Sequence, residues 1–147
     1  MLFDDKGYAM PYEIIPTTLE IVKTHFVFNE HREQIFQRYL ELLKTFQNAP
    51  CGHFYQWLGG SFISKKPFPN DLDLVNFVDW QFYRKFESRI RTWEHEFRWK
   101  NLDSYTVPVY PEKDFKQYIT IYSKNEKLEL YGSDRLGNPK GIIQLNF

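Results

Sequence analysis

The sequence carries few of the features that tie a chain to a special environment. Among its 147 residues there is one cysteine, Cys51, so no disulfide can form within it, and a reducing, cytoplasmic setting is expected, with Cys51 read as a small buried residue. No apolar run approaches the roughly 20 residues that cross a bilayer, and no leader-like start is visible, so no membrane role is expected. Basic and acidic residues balance at 19 each, so no global field gathers nucleic acid, and DNA is not an expected partner. The four histidines, His25, His31, His53 and His95, lack metal-ligand spacing. Repeats and low-complexity tracts are also missing, and the length suits one domain over residues 1–147. What the chain has in excess is aromatic residues, 14 Phe, 10 Tyr and 4 Trp. Such rings bury large areas with few rotamers, which predicts an aromatic core, with Tyr83, Trp93 and Tyr110 as the candidates for a cleft that stacks a base.

Periodicity gives the elements. Thr17 and Glu20 form a capping-box pair for a short helix ending near Phe26. Ile35, Tyr39, Leu42, Leu43 and Phe46 recur at helical spacing and predict a second helix from His31, with Glu30, Arg32, Glu33, Arg38, Glu41 and Lys44 on its solvated face. A strand is predicted over His53–Leu58, a loop over Lys65–Asn70 because of its two prolines, and an interior strand over Leu72–Val78. Gln81 to Lys100 reads as a third helix with a basic, solvated face. Asp103–Tyr110 reads as a strand, with Pro108 marking a sheet edge or a strand end. Phe115, Tyr118, Ile119 and Tyr122 recur at helical spacing and predict a last helix that runs on through Leu128, Leu130 and Tyr131 to stop at Gly132, with Ser123-Lys124-Asn125 as a break in it. A turn over Asp134–Pro139 and a strand over Gly141–Leu145 complete a mixed α/β domain.

One constellation carries chemistry. Trp57-Leu58-Gly59-Gly60-Ser61-Phe62 is followed by Asn70-Asp71-Leu72-Asp73-Leu74-Val75. Alternation along a strand puts Asp71 and Asp73 on one face, about 6.5–7 Å apart, with Leu72 and Leu74 facing the core. Hard divalent cations take carboxylate and phosphate oxygens, and a two-ion site needs carboxylates able to serve ions about 3.5–4 Å apart. Gly59 and Gly60 let the backbone turn and approach a phosphate, and Ser61 is placed to cap a short helix whose free N–H groups attract anions.

Gly60-Ser61 with Asp71-x-Asp73 resembles the signature of the polymerase-beta-type nucleotidyltransferases, in particular their small, minimal bacterial members. The flanks Tyr12-Glu13-Ile14-Ile15-Pro16-Thr17-Thr18-Leu19-Glu20, Lys66-Pro67-Phe68-Pro69-Asn70 and Asp134-Arg135-Leu136-Gly137-Asn138-Pro139-Lys140-Gly141-Ile142-Ile143 add a likeness to a group of small bacterial proteins placed in that superfamily. The resemblance implies a nucleotidyltransferase-like fold, a small mixed sheet flanked by helices. It also implies a third carboxylate on the strand after the Asp-x-Asp strand, which Asp103 matches best, with Glu112 and Asp114 as alternatives. The implied metals are two Mg²⁺ ions held by Asp71, Asp73 and Asp103, and the implied nucleotide ligands are Gly59, Gly60, Ser61 and Lys140. Arg135 and Lys140, apart from the likeness, read as surface cations.

The resulting expectation is an Mg²⁺-dependent transfer of a nucleotidyl group from a nucleoside triphosphate to a hydroxyl on a protein, an RNA or a small molecule. The alternative is an inactive binding module of the same fold, one half of a toxin–antitoxin or defence pair, with a partner protein encoded nearby. A metal-dependent nuclease is disfavoured, because it leaves the Gly-Ser turn without a task.

Overall fold

A computed structural model describes residues 1–147. Two short strands, β1 (Leu2–Phe3) and β2 (Ala9–Met10), form an antiparallel ribbon. The main sheet contains β3 (Ile14–Pro16), β4 (Tyr55–Gly59), β5 (Leu72–Asp79), β6 (Leu102–Val109) and β7 (Ile142–Asn146), in the order β3-β7-β4-β5-β6. The outer pairs β3–β7 and β5–β6 are parallel, whereas β4 runs antiparallel to both β5 and β7. Helices α1 (Leu19–Phe26), α2 (Glu30–Gln47), α3 (Trp80–Arg98) and α4 (Gln117–Tyr131) flank it. The expected mixed α/β class therefore holds, and β6, with Pro108, is the edge strand that Pro108 foretold. The ribbon and β3 were not expected, because two or three residues are too few to show an alternation.

The two faces of the sheet bury different things. Val22 and Phe26 of α1, Ile35, Tyr39, Leu42 and Phe46 of α2, and Phe82, Ile90 and Phe97 of α3 join Leu58, Leu74, Val78 and Ile143 in the main core. On the other face, Trp57, Val75, Phe77, Val107 and Ile142 form a smaller cluster closed by Tyr131 of α4. Asp79 starts α3 by accepting from the Gln81 and Phe82 N–H groups, and Asn29 starts α2 by accepting from Arg32 N–H.

Four local expectations are corrected. The cap of α1 is Thr18, which accepts from Ile21 N–H, while the Thr17 N–H donates to the Gln144 carbonyl and ties the helix start to β7. Strand β4 is shifted from His53–Leu58 to Tyr55–Gly59. Helix α4 runs unbroken through Ser123-Lys124-Asn125 and starts only at Gln117, after Phe115; its Tyr118 and Tyr122 are exposed, and it buries Thr120, Lys127 and Tyr131. Arg32, placed on the solvated face of α2, is fully buried. Its guanidinium donates to the carbonyls of Phe26, Phe62, Ser64 and Lys66 at 2.6–2.9 Å and lies between the rings of Phe28 and Phe62. Burial without an anionic partner pulls its pKa down to about 10.

Candidate functional site

Strand β5 puts Leu72, Leu74 and Val78 into the main core, so Asp73 stands on the opposite face with Val75 and Phe77. Strand β6 runs parallel beside it in a register that pairs Asp73 with Asp103. Asp71 lies two residues before Asp73, just ahead of the strand. The three carboxylates share one field. Burial, followed by the charges of Asp71 and Asp103, pushes the Asp73 carboxyl up to about 7, against the pull of Lys140 and Lys127. Asp71 is raised for the same reasons, burial first and Asp103 second, with Lys66 opposing. Glu112 and Asp114, the alternatives to Asp103, do not line the cleft that holds these groups.

Across the sheet, antiparallel β4 sets Gly59 opposite Asp73. Gly60 follows with φ +71°, a left-handed turn that glycine adopts freely, and a Cβ there would collide with the Asp73 carboxylate oxygen Oδ2. A Cβ at Gly59 would strike the Tyr131 ring. The two glycines thus make room for a carboxylate and an aromatic wall. Ser61 caps no helix: residues after Gly60 form a turn closed by Ile63 N–H to the Gly60 carbonyl and by Ser64 Oγ–H to the Ser61 carbonyl. Arg32 holds this turn from beneath, since Phe62, Ser64 and Lys66 all belong to it.

Lys140 is the second correction at the site. It is buried, and its Nζ donates to the Gly60 carbonyl at 3.1 Å, so the strand-side cation supports the glycine turn and faces Asp73. Burial lowers its pKa, with Asp73 and Asp134 opposing. Arg135 is exposed at the cleft rim, in line with its reading as a surface cation. Tyr83, Trp93 and Tyr110 take no part: Trp93 packs on Phe46, Tyr110 stacks on Trp80, and none of the three lines the cleft. The aromatic walls come instead from Tyr8, Tyr105 and Tyr131. Tyr8 donates to Asp134 Oδ2 at 2.7 Å, which raises the phenol to about 12.

The cleft encloses about 1200 Å³ and draws on the ribbon, the glycine turn, β5, β6, α4 and the turn before β7. Six aspartates and six lysines or arginines line it, so it is neutral in sum but divided in sign, a lining that suits an anion accompanied by a cation. In the metal-free chain no three His, Cys, Asp or Glu side chains stand as a ready three-ligand group. Mutual repulsion of bare carboxylates works against such closure. Sequence reasoning missed Tyr8, which lies in a ribbon too short to show a pattern, and Lys127. The one available signal for Lys127 was its spacing, seven residues after Thr120 and four before Tyr131.

The chain belongs to the family described as a family of unknown function, DUF6932, whose profile matches residues 1–146. No curated protein and no solved structure matches it.

Proposed function

We propose that the protein is a nucleotidyltransferase of the polymerase-beta type, taking a nucleoside triphosphate and passing its nucleotidyl group to an acceptor hydroxyl. The observation that carries this reading is the pairing of Asp73 with Asp103, with Asp71 beside them and Gly60 facing Asp73. Three oxygen-donor carboxylates, with a glycine where a side chain would displace one of them, fit a hard cation such as Mg²⁺. Asp71, Asp73 and Asp103 would hold it, and when bound it supplies positive charge against the phosphate oxygens.

The remaining roles fall to the chain itself. Gly59, Gly60 and Ser61 offer a turn that phosphates can approach, and Lys140 stiffens that turn through the Gly60 carbonyl while placing its charge nearby. In the reaction the acceptor oxygen forms a bond to the α-phosphorus, the bond from that phosphorus to the bridging oxygen breaks, and pyrophosphate leaves. The hydroxyl proton passes to a carboxylate, for which Asp103, the most exposed of the three, is assigned. Protein, RNA and small-molecule acceptors are all compatible with the open cleft.

A second reading, a binding module of the same fold paired with a partner protein, is favoured by the lack of a ready three-ligand group and by the exposed apolar side of α4. Incubation with each of four radiolabelled triphosphates, Mg²⁺ and a cell lysate separates the two. Transfer of label to a macromolecule or small molecule, lost in Asp103→Asn, supports the enzyme. No label on any acceptor, with triphosphate still bound, supports the module.

A further inference from the structure

We infer that Lys127 is a substrate-binding residue of the cleft, the ammonium that takes phosphate oxygens from the α4 side. This rests on the nucleotidyl-transfer reading and adds a residue to it.

The buried positions of α4 are Thr120, Lys127 and Tyr131. Thr120 is satisfied, its Oγ donating to the Pro108 carbonyl and accepting from Tyr110 N–H. Tyr131 packs in the smaller core and walls the cleft. Lys127 fits neither role. The residue is only 8% exposed and makes no ion pair, and its Nζ sits 4.2 Å from the centre of the Tyr105 ring and 5.9 Å from that of Tyr131. Without a protein hydrogen bond, yet not sealed from solvent, the ammonium opens into the cleft. Leucine or methionine would fill the slot between the two tyrosine rings equally well, so packing alone does not account for an ammonium at its mouth.

The other buried cations show how differently Lys127 is placed. Arg32 gives its donors to main-chain carbonyls, and Lys140 gives one to Gly60. Among the three buried cations, Lys127 is the one that lines the cleft with all three donors uncommitted to the protein, and its charge reaches Asp73. An ammonium is a compact point charge suited to phosphate oxygens. With Lys140 on the β7 side and Lys127 on the α4 side, an anion lying over the carboxylates is gripped from two walls. A polyphosphate has the length and charge for both.

Calorimetry with inorganic tripolyphosphate, with and without Mg²⁺, tests this without relying on turnover. Wild type is compared with Lys127→Met and Lys127→Arg, and a thermal melt of each variant checks that it is folded. The expected result is roughly a ten- to hundredfold weaker affinity in Lys127→Met, largely restored in Lys127→Arg. Affinity within twofold of wild type in a folded Lys127→Met, together with tighter Mg²⁺ binding, would make Lys127 a counter-charge to the carboxylates and overturn the inference while leaving nucleotidyl transfer standing. If wild type binds neither tripolyphosphate nor any nucleoside triphosphate under either condition, the inference falls together with the reading beneath it.

Discussion

On the α2 and α3 side of the sheet, polar groups are buried only in closed sets. Tyr39 donates to Gln56 at 2.6 Å, Gln56 to Asn76 at 2.7 Å, and Asn76 to Ser104 at 2.8 Å, a row that crosses β4, β5 and β6 in the middle of the apolar layer. On the α4 side, burial and the charges of Asp71 and Asp103 push the Asp73 carboxyl up, and Lys127 has only the faces of Tyr105 and Tyr131 as protein partners. The first arrangement fixes strand register, because a slip of one residue would orphan every member of the row. The second stores unfavourable charge that a ligand of matching sign pattern relieves. Stability is invested on one side, and binding capacity is kept on the other.

The sharpest way to break this comparison is to remove the charges that the second face keeps. Asp71→Asn with Asp73→Asn is expected to abolish Mg²⁺-dependent triphosphate binding in calorimetry while the circular dichroism spectrum stays native. Asp103→Asn is expected to leave triphosphate affinity within a few fold yet slow transfer by roughly 10²–10⁴. Transfer at the wild-type rate would remove Asp103 from the chemistry.

Next in size is Arg32→Met, which leaves the carbonyls of Phe26, Phe62, Ser64 and Lys66 without their donor. A loss of about 3–5 kcal/mol in urea unfolding is expected. A loss below about 1 kcal/mol would mean that the glycine turn holds itself. On the same face, Gln56→Leu removes the link between Tyr39 and Asn76 and should cost about 2–3 kcal/mol, read as a lower urea midpoint.

The smallest effect has the opposite sign. The Asp73 carboxyl has a folded-state pKa of about 7, above its ordinary value of 3.8, so the metal-free native state binds the proton more tightly than the unfolded chain does. Its contribution is fully present below the ordinary value and is lost as pH rises through the folded one. Asp73→Asn should therefore stabilise the metal-free protein at pH 8 by about 1–3 kcal/mol and remove this part of the slope between those two values. Thermal melts across that range would reveal it, and an unchanged slope would show that neither burial nor the neighbouring charges hold the Asp73 carboxyl above its ordinary value.

The legible parts of the sequence were those governed by a single period. Leu72–Val78 declared its faces because alternation fixed which way Asp73 pointed, and α2 declared its core through Ile35, Tyr39, Leu42 and Phe46. Arg32 was illegible because it sits among charges on a helix whose polar side is mostly solvated, and only the fold of residues 61–66 around it turns that side inward. Helix α4 misled for the reverse reason: most of its large apolar residues are exposed, Tyr122 at 69%, and its buried stripe contains a threonine and a lysine. Lys140 could not be separated from Arg135 in one turn, since the difference between them is a hydrogen bond to a residue 80 positions away.

The placement of β7 also bears on how the chain reaches its native state. This strand, Ile142–Asn146, lies between β3 and β4, inside the sheet, although it is made after every other strand. During synthesis β3 therefore has no neighbour in the sheet, and one edge of β4 stays unpaired, until Ile142–Asn146 emerges. Sheet closure joins positions more than 120 residues apart, as in the pairing of Ile14 with Ile142. Slow, late folding follows from such long-range pairing, with open strand edges exposed to other chains in the interval.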